Sequence, residues 1–258
     1  MASSVGLPAM FSSMPPPLVF PALTEHRSTV VIVHGLGDSG HGYTPIVRGW
    51  HEGGLFQDTK FILPSAPSIP VTSAGGRSTP AWFDISGARG PHVTFDDLTA
   101  QPQDEAGLLH SRDYLVNLIE QEVNTTSVPN SQVILGGFSQ GAVMSLLTGV
   151  TSGLRLGGIF CLSGYLALAE AIQKGDDAKF KRATDTTLPI LMSIGDKDPV
   201  INPEWAHKSA GIVKDLGYDV DLTVVPGLGH SINQAVLRNV EAFITRIQNS
   251  GANQHDEL

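Results

Sequence analysis

A serine framed by glycines stands in Gly136-Gly137-Phe138-Ser139-Gln140-Gly141-Ala142, directly after the apolar run Val133-Ile134-Leu135 and before a segment that is apolar nearly all round. In the context strand, then G-x-S-x-G, then helix, the two glycines remove side chains that would clash in a sharp turn, and the turn lifts the serine hydroxyl clear of the sheet. The helix start adds a positive dipole beneath it. A serine hydroxyl is a weak nucleophile at neutral pH, so it needs a base within hydrogen-bond reach and a third group that holds the base's tautomer. Ser139 is the candidate nucleophile, and the chemistry it would start is transfer of an acyl group.

In this arrangement the chain order is serine, acid, histidine. Downstream of Ser139 stand only His207, His230 and His255. His255 lies in the terminal segment and His207 in an amphipathic helical pattern. His230 follows the last candidate strand in Pro226-Gly227-Leu228-Gly229-His230-Ser231, on a loop that opens the final helix, where a base must hang over the strand ends. The candidate acids are the carboxylates of Gly195-Asp196-Lys197-Asp198-Pro199-Val200. Asp198 precedes a proline and is biased to extended backbone, which favours it as the orienting acid. Asp196 follows a glycine and suits a turn-forming role. Asp176 and Asp185 lie in a polar excursion with no strand end beside them.

A developing oxyanion needs two preorganised donors, one the amide after the nucleophile and the other in the loop after an early strand. The first is Gln140. The second falls in His34-Gly35-Leu36-Gly37-Asp38-Ser39-Gly40-His41-Gly42, with Leu36 best placed. A nucleotide phosphate loop is the competing reading, but the segment has neither G-x-G-x-x-G nor a P-loop lysine. His34 and His41 are expected to fix the loop.

These residues must be carried by strands and helices. Short aliphatic runs at 30–33, 61–63, 133–135, 158–162, 189–194 and 222–225 are candidate buried strands, and segments 103–122, 140–150, 204–216 and 231–247 repeat apolar residues at spacings of three and four. Their alternation predicts an α/β architecture: one mostly parallel sheet covered by helices on both faces, with the active site at the carboxyl ends of the strands. The connection from 64 to 102 has little periodicity and is expected to lie over those ends.

With 258 residues, 41% of them apolar and 16% charged, the chain has the make-up of a single folded domain with a large core. Its one cysteine, Cys161, forms neither an internal disulfide nor a zinc cage. A net charge of -9 has the wrong sign for neutralising phosphate backbones, so nucleic acid is excluded as an expected partner. Residues 1–27 are expected to form a flexible leader, 28–248 the catalytic domain and 249–258 a flexible acidic tail. Phe11, Met14, Leu18, Val19 and Phe20 in the leader are expected either to pack on the domain or to touch a membrane interface transiently. The terminal His255-Asp256-Glu257-Leu258 has the form of an ER-retrieval address, yet no basic n-region and apolar h-region accompany it. The expected location is the cytoplasm and nucleus, with the ER as the alternative.

The residues named above, in order, resemble those of the acyl-protein thioesterase/lysophospholipase family of small serine esterases. The resemblance spans about residues 28 to 248 and rests on His34-Gly35-Leu36-Gly37-Asp38, Pro80-Ala81-Trp82-Phe83-Asp84-Ile85, Gly136-Gly137-Phe138-Ser139-Gln140-Gly141, Gly195-Asp196-Lys197-Asp198-Pro199 and Gly229-His230-Ser231. It implies an α/β-hydrolase fold, a triad of Ser139, Asp198 and His230, and an oxyanion hole formed by the Leu36 and Gln140 amides. It implies that the 64–102 excursion helps form an acyl-chain channel with Trp82 near the catalytic entrance and Phe83 beside it; ordinary packing is the other role open to these two aromatics. The implied substrates are fatty-acyl thioesters on S-acylated (palmitoylated) proteins, with lysophospholipids and small esters as lesser ones, and no metal or cofactor. A broad carboxylesterase or lysophospholipase, or a non-catalytic ligand-binding protein on the same scaffold, are the alternatives. Segment 86–100, with Arg89-Gly90-Pro91-His92, departs from the family spacing at what would be the channel's mouth.

Overall fold

The structure, a computed structural model, is described for residues 9–175, 179–181 and 186–255. The chain runs β1 (Leu18–Phe20), β2 (Ser28–Val33), α1 (Thr44–Glu52), β3 (Thr59–Leu63), β4 (Ser68–Val71), β5 (Arg77–Pro80), α2 (Phe95–Ala100), α3 (Glu105–Thr125), β6 (Val133–Phe138), α4 (Gln140–Thr151), β7 (Gly158–Leu162), α5 (Ala169–Lys174), β8 (Pro189–Gly195), α6 (Pro203–Asp215), β9 (Asp219–Val225) and α7 (Gln234–His255). Seven strands make one sheet in the order β1-β3-β2-β6-β7-β8-β9, and all neighbours are parallel except the edge pair β1 and β3. After β2 the chain moves outward to β3, then crosses back to β6. The junction of β2 and β6 is therefore the switch point, where loops leave the sheet in opposite directions and open a crevice at the carboxyl ends.

The six expected strands all lie in this sheet. Because its central strands are covered on both faces, β2 and β7 are buried along their whole length, which is why they read as unbroken aliphatic runs. Successive side chains alternate between two cores. Val31, Val33 and Leu135 face α3, α4 and α6, while Val30, Ile32, Ile134 and Phe160 face α1 and α7. Strand β9 begins three residues earlier than expected, because its exposed Asp219 and Asp221 at the sheet edge hid its start. The 64–102 excursion holds the antiparallel ribbon β4–β5 and the short helix α2, with prolines inside both strands of the ribbon.

The leader and tail differ from expectation. Residues 18–20 form β1, in register with Leu63, Ile62 and Phe61 of β3. Phe11 and Met14 are buried, with the Phe11 ring against His110 and Tyr114 of α3. The apolar residues of this segment thus resolve toward packing on the domain, while Val19 stays exposed. Helix α7 continues through residues expected to be tail and ends at His255; the last three residues of the retrieval-like sequence lie outside the described residues. Removing a buried aromatic ring costs roughly 3 kcal/mol or more. Phe11→Ala is therefore expected to lower unfolding free energy by about 3 kcal/mol in a denaturant titration, whereas a solvated leader would leave the midpoint unchanged.

Candidate active site

Ser139 occupies the turn between β6 and α4 at φ 56°, ψ -121°, a conformation that a non-glycine residue adopts only under constraint. The constraint is backbone crowding. A Cβ on Gly137 would meet the Val33 carbonyl oxygen at 2.4 Å, and one on Gly141 would meet it at 1.9 Å. Strand β2 and the first turn of α4 therefore approach more closely than any side chain allows. The Ser139 N–H donates to the Leu162 carbonyl at 2.9 Å, and its own carbonyl accepts from Val143 N–H at 3.1 Å, so the strained residue is tied at both ends.

The Ser139 hydroxyl lies 2.9 Å from His230 Nε2, and His230 Nδ1 lies 2.7 Å from Asp198 Oδ2. The other carboxylate oxygen of Asp198 accepts from Val200 N–H at 2.8 Å and Ile201 N–H at 2.9 Å. Burial of Asp198 works to raise its pKa, but the bonds from His230, Ile201 and Val200 outweigh it and hold the carboxyl below its ordinary value. An ionised Asp198 can only accept, so it fixes the proton on His230 Nδ1 and leaves Nε2 facing Ser139 as an acceptor. This arrangement can take a proton from the serine hydroxyl and return it to a leaving group.

The loops bearing acid and base are laced together. Lys197 N–H donates to the Leu228 carbonyl, and a Cβ on Gly195 would meet that carbonyl oxygen at 2.1 Å. Asp196, expected to bond its own turn, instead accepts from Gly227 N–H at 2.6 Å and so joins the two loops. His207 is exposed on α6, away from this group. Asp176 and Asp185 lie outside the described residues.

The peptide between Gly35 and Leu36 is oriented by His34. Ala66 N–H donates to His34 Nε2 at 2.9 Å, which leaves Nδ1 to carry the proton and donate to the Gly35 carbonyl at 2.7 Å. Burial lowers the His34 pKa, in keeping with a neutral ring. In a trans peptide the Leu36 N–H points opposite to the Gly35 carbonyl, hence away from His34. Leu36 and Ser139 line the same cavity. The Gln140 N–H, as the first of α4, has no intrahelical acceptor and is also available. His34 therefore does fix the loop, while His41 is exposed.

Trp82 does not border the cavity. It is buried, with indole N–H donating to the His34 carbonyl at 2.8 Å and backbone N–H to Gln140 Oε1 at 3.0 Å. These bonds hold it behind the wall, which favours the packing role left open for it over a place at the channel entrance. Gln140 Nε2 also donates to the Phe83 carbonyl at 2.9 Å, clamping the excursion onto α4; the sequence reading used only this residue's amide. Phe83 does line the cavity, which has a volume of about 230 Å³. Leu36, Ile85, Val143, Val200 and Ile201 supply more apolar wall, and Tyr165 and Arg89 complete it. The far wall escaped sequence reasoning because Val143 and Tyr165 sit in runs whose apolar character signals only core. Among the described residues, no cluster of three His, Cys, Asp or Glu side chains could hold a metal ion.

A mostly parallel sheet with a strained serine at its switch point, a histidine after the last strand and a buried aspartate after the preceding one define an α/β hydrolase with a Ser-His-Asp site. More narrowly, the chain belongs to the phospholipase/carboxylesterase family, whose sequence profile matches residues 16–248. It is 39% identical over 234 residues to acyl-protein thioesterase 1 of Neurospora crassa, covering 89% of this chain and 91% of that protein. It is 41% identical over 232 residues to acyl-protein thioesterase 1 of Gibberella zeae, covering 89% and 94%. The crystal structure of Arabidopsis thaliana SOBER1 superposes with a TM-score of 0.75 at 28% identity, covering 86% of this chain and 99% of that one.

A carboxyl whose pKa is lower in the folded than in the unfolded chain stabilises the fold above its unfolded pKa, and that contribution fades as pH falls through the folded value. The stability advantage of wild type over Asp198→Asn is expected to be constant above about pH 5 and to shrink as pH falls below about 4. Parallel acid titrations of urea midpoints check this; an advantage that grows on acidification would contradict it.

Proposed function

We propose that the protein hydrolyses fatty-acyl thioesters on S-acylated, palmitoylated proteins through an acyl-enzyme on Ser139. The observation that carries this reading is the hydrogen-bonded chain from Ser139 through His230 to Asp198, opening onto an apolar cavity. The names of the Neurospora and Gibberella relatives supply the substrate class.

In the mechanism, Ser139 Oγ attacks the thioester carbonyl carbon while His230 Nε2 takes the hydroxyl proton. The carbonyl oxygen becomes an oxyanion and is met by the Leu36 and Gln140 amides, each contributing roughly 3 kcal/mol to transition-state stabilisation. Asp198 stabilises the imidazolium without itself taking the proton. Collapse breaks the carbon–sulfur bond, and His230 delivers its proton to the departing cysteine thiolate. Water then repeats the sequence on the acyl-serine ester, releasing fatty acid and restoring Ser139. The three side chains and two amides balance every proton and charge, so the cycle calls for no metal or cofactor.

The apolar wall suits the acyl chain. A volume of about 230 Å³ lies below the roughly 300–1,000 Å³ of pockets that enclose a drug-sized ligand, so the cavity holds part of a long acyl chain. The remainder of a sixteen-carbon chain would extend over the exposed Leu36 and Val200 side chains at the rim.

Ser139→Ala is expected to lower kcat on a palmitoyl-cysteine peptide by about 10⁴-fold or more while leaving the circular dichroism spectrum and urea midpoint near wild type. Turnover retained in this variant would overturn the assignment. Faster wild-type cleavage of a lysophospholipid than of the peptide, compared as kcat/KM, would replace the thioesterase reading by the broader esterase one.

A further inference from the structure

The cavity beside Ser139 has an anomaly for a site that takes only hydrocarbon. Arg89 stands in its wall among apolar residues, contributed by the segment that departs from the family spacing. Arg89 is half-buried. Its guanidinium carbon lies 5.9 Å from the centre of the buried Trp205 ring, and Nη1 donates to the Ala88 carbonyl at 2.9 Å. It forms no ion pair with a carboxylate among the described residues, although the chain carries an excess of nine negative charges.

Arg89 is also held in place. Asn202 Nδ2 donates to the Pro91 and Val93 carbonyls at 3.1 and 3.0 Å, and the Trp205 indole N–H donates to the Val93 carbonyl at 2.8 Å. These bonds fasten the loop to the start of α6, directly after the segment whose amides fix Asp198. Burial pushes the Tyr165 phenol's pKa up, while the Arg89 charge and a hydrogen bond between the two side chains act in the opposite direction. The guanidinium has five N–H donors and no acceptor, so beyond the Ala88 carbonyl and Tyr165 it keeps donors that a ligand could meet. Apolar surroundings strengthen the pairing of a cation with an anion relative to bulk water. A cation aligned by an aromatic face loses less freedom on binding than a solvated one.

We propose that Arg89 is a specificity-determining residue that pairs with an anionic oxygen group, carboxylate or phosphate, carried by the substrate beside its scissile ester. This rests on the reading that Ser139 cleaves esters in this cavity. The anion has two possible places: the far end of a short acyl chain, or the leaving group.

Two matched substrate pairs distinguish these places. Hexanoyl and adipoyl thioesters of one thiol differ by a terminal carboxylate on the acyl side. A 1-monoacylglycerol and the corresponding lysophosphatidic acid differ by a phosphate on the leaving group. In at least one pair the wild type is expected to favour the charged member, and Arg89→Gln to lower the charged-to-neutral ratio of kcat/KM by about 10- to 100-fold, with Arg89→Lys retaining part of the preference. An unchanged ratio in Arg89→Gln for both pairs would overturn the proposal. So would a wild-type preference for the neutral member in both, a reading that needs no variant to fold. Absence of Ser139-dependent turnover of the neutral members would instead strike at the esterase reading itself, so the two failures are separable.

Discussion

The structure turns on one close approach: the Val33 carbonyl oxygen of β2 against the backbone of Gly137 and Gly141. No side chain fits between them, so β6 must turn abruptly into α4, and Ser139 is left at positive φ with its hydroxyl above the sheet. Such a conformation costs of order 1–3 kcal/mol and persists only where surrounding packing over-determines it. The buried parallel strands on either side do so, because Ser139 N–H is held by the end of β7 and a Cβ on Gly35 would meet the Ser139 Cβ at 3.2 Å. The same approach sets the start of α4, and with it the free amide of Gln140, beside the loop that carries Leu36. Nucleophile and both proposed oxyanion donors therefore descend from a single packing constraint.

Around this point the positioning groups act in pairs. His34 orients the Leu36 peptide through the Gly35 carbonyl while its own backbone carbonyl is held by Trp82. Gln140 clamps Trp82 and Phe83 with the two ends of one side-chain amide. Asp198 is fixed by two backbone amides before it meets His230, and Asp196 binds the turn that carries His230. Each loop over the strand ends is thus tied to its neighbour. Proposed catalytic geometry of this kind depends on such ties, since an activating hydrogen bond weakens steeply with misalignment.

Much of this was legible in the sequence because it is local. G-x-S-x-G after an aliphatic run predicts the turn at Ser139, and Asp198 and His230 follow their strands at the ends where the sheet topology requires them. What was not legible depends on contacts distant in sequence. Phe11 and β1 look like a proline-rich leader because a three-residue edge strand carries no periodicity, and only the exposed edge of β3 gives it a partner. Trp82 looks like a channel residue by its place in a family block; its burial follows from acceptors 48 residues away in His34 and 58 away in Gln140. Arg89 reads as a charge in an irregular loop until Trp205 and Asn202 fasten that loop beside the acid.

The central claim is that strain and orientation converge on one oxygen, Ser139 Oγ, as the atom that takes the acyl group. Rapid mixing with a chromogenic acyl thioester, quenching in acid within the first turnover and peptide mapping by mass spectrometry tests it most directly. The account predicts a burst of thiol release matched by a stoichiometric acyl adduct on the peptide containing Ser139, decaying as the fatty acid appears. Thiol release with no covalent adduct, or with the acyl group on another residue, would contradict it.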